Sequence, residues 1–171
     1  MPYRGKFLLD ASVFIEANRR YYSFDIAPSF WELLVSLGKN EKIISIDKIK
    51  VELDKGNKTD ELKIWANTEF KDYFMSSDDV NVFSAYGEII KFVQNQSQFR
   101  DYAKAEFADV ADSWLIAYAL AYDHTIVTQE EFVRDVQRRV PIPNICKVFD
   151  IPYATTFDML RYLKAEIELE L

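Results

Sequence analysis

The sequence predicts an α/β domain in which a parallel sheet carries helices on its faces, and two sets of segments lead to that fold. Four short apolar runs, Phe7 to Leu9, Ile43 to Ile46, Thr125 to Val127 and Ile145 to Phe149, are bounded by polar residues, and their length and β-branched content suit buried strands. Longer segments with helical spacing lie between them, around Phe30 to Leu37, Leu62 to Phe70, Val80 to Val93 and Val110 to Tyr122. Strands that alternate with helices imply parallel pairing, with the helices packed on the sheet faces.

The first run ends directly on Asp10, and Ser12 is the better placed cap for the helix that follows, which leaves Asp10 free. The second run ends on Asp47, which reads as the cap of a helix over Lys48 to Leu53. The long stretch from there to Thr125 holds either a third strand or an all-helical insertion, and both stay open. Asp109 and Asp112 read as N-cap and third helical position, an arrangement favoured by the helix dipole. For Asp112, capping and catalysis are equally open. From Trp114 to Tyr122 the segment is apolar nearly all round, so it should be a buried helix with Asp112 at its mouth. His124 reads as an ordinary loop residue before the third run, and Thr128, Gln129 and Glu130 follow that run. Near the end, Met159 to Ala165 is helical in composition, whereas residues 165–171 alternate strictly and read as a strand. Such a strand would cover a sheet edge in this molecule or in a second copy, making a homodimer.

The 171 residues contain no repeat or Pro/Gly linker, so residues 1–171 form a single domain, and 49% hydrophobic residues supply its core. A lone cysteine, Cys146, points to a reducing cytoplasm. Neither a signal-peptide core nor a run of about 20 apolar residues is present, so no membrane association is expected. The net charge of −7 argues against simple electrostatic binding of nucleic acid. A carboxylate metal site is negative by construction, however, and its bound cation reverses the local field. An acidic body also suits a basic protein partner.

Elimination narrows the chemistry. Four scattered glycines cannot build a phosphate-cradling loop, which excludes Walker and dinucleotide-binding motifs. One histidine and no GxSxG turn leave no serine triad, and a zinc site lacks ligands. Carboxylates remain. In a parallel sheet, ligands bind outside the carboxyl ends of the strands, where Asp10, Asp47 and Glu130 share one edge. If Asp112 faces that edge, like charges at close range repel or hold a proton, and a hard cation such as magnesium relieves them. Glu52 and Glu130, taken alone, read as surface residues.

Four segments together resemble the motifs of PIN-domain nucleases. FLLDASVFIEA resembles the opening strand that ends on a metal-binding aspartate, here Asp10, followed by Ser12; ISIDKIKVELDKG resembles the second motif, whose helix gives Glu52. VADSWLIAYALAY is similar to the third and gives Asp112, and IVTQEEF to the fourth, with Thr128 and then Glu130. The resemblance runs from Lys6 to about Asp158. It is nearest in appearance to ribonucleases of the VapC type from toxin–antitoxin pairs, in a longer subgroup with an arginine and aromatic stretch at Asn18 to Phe24. Two features depart from the pattern. The fourth acid is Glu rather than Asp, which bears on a second metal, and Lys58 to Phe107 is longer than in compact toxins, which bears on substrate range.

The resemblance implies a three-layer α/β/α sandwich and an acidic pocket that binds Mg2+ or Mn2+ and hydrolyses RNA. Asp10 and Asp112 would be the main metal ligands, Glu52 would complete the shell or orient water, and Glu130 would support a second ion. Ser12 and Thr128 would hydrogen-bond the carboxylates. A cognate antitoxin is the implied partner. RNA contact is expected from Arg19, Arg20, Tyr21 and Tyr22 on one side and Arg134, Arg138 and Arg139 on the other. The alternative, that these tyrosines are core and these arginines form surface ion pairs, is equally open. The rival function is a catalytically inert PIN-like scaffold that binds a protein. A haloacid dehalogenase-type phosphatase is set low, because that family needs a second aspartate where this chain has Ser12.

Overall fold

The structure, a computed structural model, describes residues 2–168. Five parallel strands form one sheet: β1 (Phe7–Leu9), β2 (Ile43–Ile46), β3 (Phe74–Met75), β4 (Thr125–Val127) and β5 (Tyr153–Ala154), in the order β3-β2-β1-β4-β5. Phe7 pairs with Ile43 on one side of β1 and with Thr125 on the other. The three inner strands are fully buried, and their two polar side chains are satisfied there, Ser45 donating to Leu9 O and Thr125 to Arg4 O.

The helices that cover the sheet are α1 (Ala11–Glu16), α2 (Pro28–Lys39), α3 (Asp47–Leu53), α4 (Glu61–Thr68), α5 (Val80–Gln94), α6 (Asp101–Asp109), α7 (Ala111–Tyr122), α8 (Ile142–Val148) and α9 (Thr156–Tyr162). A π-helical turn over Ala17–Tyr21 continues α1. The result is the expected three-layer α/β/α arrangement. From β1 the chain moves outward to β2 and β3, and from β4 it moves the opposite way to β5. The β1–β4 boundary is therefore the topological switch point, where a crevice opens beyond the strand carboxyl ends.

Two expectations need correction, and one open question is answered. Ile145 to Phe149 is helix rather than strand: Pro141 caps α8, Pro143 lies in its first turn, and the residues from Ile142 to Cys146 are buried. Periodicity cannot separate a short buried helix from a buried strand, and prolines at a helix start were the informative signal. The last strand is instead the two-residue β5. The open question between the second run and Thr125 is answered by both alternatives, since the short strand β3 precedes a helical block of α5 and α6. At the C-terminus, Ala165 to Glu168 form no strand; the remaining residues, 169–171, lie outside the described residues. Helix α9 closes with Lys164 in the left-handed region (φ 54°), Lys164 N–H donating to Arg161 O and Ala165 N–H to Leu160 O. That closure turns the chain away from the helix axis, and the alternating pattern after it finds no edge over 165–168.

Helix α7 is buried through Ser113, Leu115, Ile116, Ala117 and Ala119, and it surfaces at Tyr122 and, in part, at Asp112 and Trp114. It ends on Asp123 in the left-handed region, and Gly5, also at positive φ, passes so close to Asp123 O and His124 that a Cβ there would overlap them. On the other side of the molecule, Phe14 packs edge-on to Phe70 and against Trp65 and Phe74, joining α1 to α4 and β3. Among the described residues no helix is long and apolar enough to cross a membrane.

Phe14 is fully buried in this aromatic cluster. Phe14→Ala should cost about 3–5 kcal/mol in urea unfolding, the usual range for losing a buried aromatic ring. A loss under about 1 kcal/mol would show that the cluster does not hold α1 to the sheet.

Candidate active site

Asp10 occupies the N-cap position of α1 without capping it. Its backbone N–H donates to Val127 O (2.9 Å), which places it over the β1–β4 boundary. Its carboxylate Oδ2 accepts from Ser12 Oγ (2.6 Å) and from Thr128 Oγ1 (3.0 Å). Ser12 is thus inside the helix and bound to Asp10, not a cap as the sequence led us to expect. The same hydroxyls also receive backbone N–H groups, Gln129 to Ser12 Oγ and Glu130 to Thr128 Oγ1, both at 3.1 Å. Burial pushes the Asp10 carboxyl above the usual range, and the two hydroxyls pull it partly back.

Asp112 is the second residue of α7. The N-cap is Val110, with no side-chain cap, so neither Asp109 nor Asp112 forms the expected capping box, and Asp112 is spared for other work. Its carboxyl is pushed up to about 8 by burial and then by the charges of Asp10, Glu130, Glu52 and Glu106. Glu52, half-buried on α3, is raised by burial and by Asp10, with Lys55 opposing. Glu130 is raised mainly by burial, but both its oxygens are engaged: Oε2 accepts from Ile142 N–H at the start of α8 (2.8 Å) and Oε1 faces Arg139 (3.4 Å).

Glu52, Asp112 and Glu130 line one cleft of about 710 Å3. Four residues that sequence reasoning missed line it too: Lys48, Lys55, Tyr86 and Trp114. Lys48 stands one turn before Glu52 on α3, a spacing readable in the sequence, and Lys55 lies just past the end of that helix. Trp114 stacks on Tyr86 (4.0 Å, 15°) with the Lys48 ammonium 5.2 Å above its ring. Tyr86 comes from the long α5, so no local pattern predicted it.

The expected RNA-contacting residues divide. Arg139 lines the carboxylate cleft and also a second cleft of about 610 Å3, which it shares with Arg20, Tyr21 and Tyr22. Arg20 is paired with Glu16 (2.5 Å). Tyr22 is half core, its ring stacked on Phe30 at 4.6 Å. Arg19 lines a smaller cavity that also reaches Glu52. Arg134 and Arg138 are exposed and line neither cleft. Asp47 is not the expected cap: it is the first residue of α3, with Ile46 at the N-cap position, and its carboxylate accepts from Lys48 N–H (2.8 Å) and from Ser77 Oγ (2.7 Å), tying the helix start to the segment after β3. His124 lies at the opposite sheet edge, where its Nδ1 accepts from Lys6 N–H, in keeping with a loop residue.

Among the described residues no three Asp, Glu, His or Cys side chains stand close enough together to hold a metal ion directly. The donor chemistry nevertheless fits a hard cation: four carboxyls, all raised by burial, with Asp10 adding to the rise of each of the other three. Magnesium retains several waters and commonly takes only one or two carboxylates directly, so bridging waters reconcile the spacing with the charge.

A family profile described as a domain of unknown function, DUF4411, matches residues 7–167, and the chain belongs to that family. No curated protein sequence matches the chain. Among solved structures, a chain in the complex of VapBC2 from Rickettsia felis bound to a DNA fragment from their promoter is similar over 87% of this chain and 97% of its own, with 15% identity and a TM-score of 0.54. A chain of FitAcB from Neisseria gonorrhoeae is similar over 86% and 95%, with 18% identity and a TM-score of 0.48. The fold is PIN-like.

A carboxyl raised in the folded state stabilises that state fully below its unfolded pKa, and the contribution is lost as pH rises towards the folded value. For Asp112 the window runs from about 4 to about 8. In chelator, Asp112→Asn should therefore melt several degrees above wild type at pH 7.5, with the difference shrinking towards pH 4.5. A difference that does not vary with pH would show that Asp112 is not charge-strained.

Proposed function

We propose that this DUF4411 member is a ribonuclease that hydrolyses RNA phosphodiester bonds with a magnesium or manganese ion, and that it is the toxin of a toxin–antitoxin pair. The observation that carries the reading is the gathering of Asp10, Glu52, Asp112 and Glu130 from four distant segments at the switch point of a PIN-like sheet. Burying acids together is costly, and the nearby cations offset that cost only at Glu130, through Arg139, and at Glu52, through Lys55.

When bound, the ion lowers the pKa of the attacking water and stabilises charge on the phosphoryl oxygens. Asp10 and Asp112 would hold it, with Ser12 and Thr128 fixing the Asp10 rotamer through the hydrogen bonds described above. Glu52 would orient the water or complete the shell. Lys48 and Lys55 would offset the charge of the substrate phosphates, which answers the objection raised by the net charge. Glu130 would serve a second ion only by giving up Arg139, so its first role is to anchor the loop from Gln129 to Pro141 onto α8. The structural likeness to a chain of the VapBC2 complex supports a cognate antitoxin as partner, and the acidic surface suits a basic segment of it. The single buried cysteine supports a cytoplasmic protein.

The wide spacing of the carboxylates favours a second reading, a catalytically inert scaffold that binds protein. Metal titration separates the two. Wild-type protein should bind magnesium or manganese and cleave RNA in a chelator-sensitive way, and Asp10→Asn or Asp112→Asn should lower the rate by at least roughly a hundredfold with the circular dichroism unchanged. RNA cleavage by Asp112→Asn at the wild-type rate would place the chemistry elsewhere, and absence of metal binding in wild type would favour the scaffold.

A further inference from the structure

The second cleft, on the far side of the Glu130–Arg139 pair from the carboxylates, has a chemistry of its own. Three aromatic residues line it: Tyr22, whose ring is already stacked on Phe30, and two exposed ones from separate elements, Tyr21, 72% exposed at the end of the turn that continues α1, and Phe157, 46% exposed in the first turn of α9. Beside them, Gln129 Nε2 donates to the buried Thr156 Oγ1 (2.8 Å). That bond uses one of the two amide N–H donors and fixes the side chain, leaving the second N–H and the carbonyl oxygen for a ligand. The charges of the cleft are already spent. Arg20 is paired with Glu16 and Arg139 with Glu130, and Glu131 adds a further carboxylate.

A phosphate would meet more negative than positive charge there, and both arginines would have to leave a partner to receive it. A flat, uncharged heteroaromatic ring meets two exposed aromatic side chains and a fixed amide, and it costs no ion pair. The volume, about 610 Å3, is within the range of small-ligand sites, roughly 300–1,000 Å3. We infer that this cleft is a nucleobase subsite, which receives one unpaired base of a single-stranded RNA whose neighbouring phosphate lies in the carboxylate cleft. The inference rests on the ribonuclease reading for the identity of the strand. Of the expected RNA contacts it keeps Tyr21, to which it adds Phe157 and Gln129, and it makes Arg139 the residue at the divide between base and phosphate. A base held in a duplex cannot enter, so single strands are selected by this cleft and not by the carboxylates.

The test is equilibrium binding of a short fluorescent oligoribonucleotide, with magnesium, to protein carrying Asp112→Asn so that the strand survives. Adding Tyr21→Ala and Phe157→Ala should weaken binding roughly five- to hundredfold, the range for loss of base stacking. Both side chains are exposed, so the fold should persist. Tyr21→Phe with Phe157→Tyr should restore the affinity. An oligonucleotide with one abasic position in the bound window should lose affinity for the parent protein and lose little more with the alanine pair, and a duplex of the same sequence should be indifferent to the substitutions. Undiminished single-strand binding by the alanine pair would overturn the subsite and leave the cleft to a protein segment. Failure of the nuclease reading would show separately, as wild-type protein that binds the strand through Tyr21 and Phe157 yet never cuts it.

Discussion

The structure turns on one buried carboxylate. Asp10 ends the central strand, is 4% exposed, and is held by hydroxyls from its own helix and from the neighbouring strand end. An isolated charge at that depth would cost several kcal/mol, and two hydroxyl donors recover only part of it. Three acids of the cleft inherit the problem, because Asp10 contributes to the raised carboxyls of Glu52, Asp112 and Glu130 alike. The fold therefore carries a concentrated electrostatic debt at its switch point, and a cation is the simplest species that discharges it.

The parts of the fold legible in the sequence were those fixed by local pattern. The inner strands are largely apolar runs between polar ends, and α7 is apolar on nearly all sides because protein surrounds most of it. What could not be read is set by tertiary context. The Ile145 run is as apolar as a strand and was misread, although Pro141 and Pro143 were there to mark a helix start. The edge strands β3 and β5 have two residues each, too few for any periodicity to register.

The candidate site divides in the same way. Asp10 stood out because it ends a strand at the edge where such sheets bind ligands. Glu52 looked like any surface acid and was singled out only through the PIN resemblance, and the distance between sequence and space explains why. Its neighbours Lys48, one turn before it, and Lys55, just past the helix end, lie close in sequence, but their relevance depends on α7 arriving opposite them. Trp114 and Tyr86 meet because α5 and α7 pack side by side, and a stack between residues 28 apart leaves no trace in either segment. Ser12 was misassigned for a related reason: a serine after a strand is a good cap, and only the proximity of the Thr128 hydroxyl shows that both serve Asp10.

The bond between Thr128 and Asp10 spans 118 residues of chain. During synthesis the amino-terminal half of the cleft is made first, and it must wait for β4 before its aspartate gains a second hydroxyl or its central strand gains a second neighbour. At roughly 5–20 residues per second, that wait lasts several seconds or longer. Truncated or partly translated chains thus hold Asp10 and Glu52 without Asp112 or the strand that buries them. The cleft therefore takes shape only after β4 and the loop that follows it, as far as Val140, have been made.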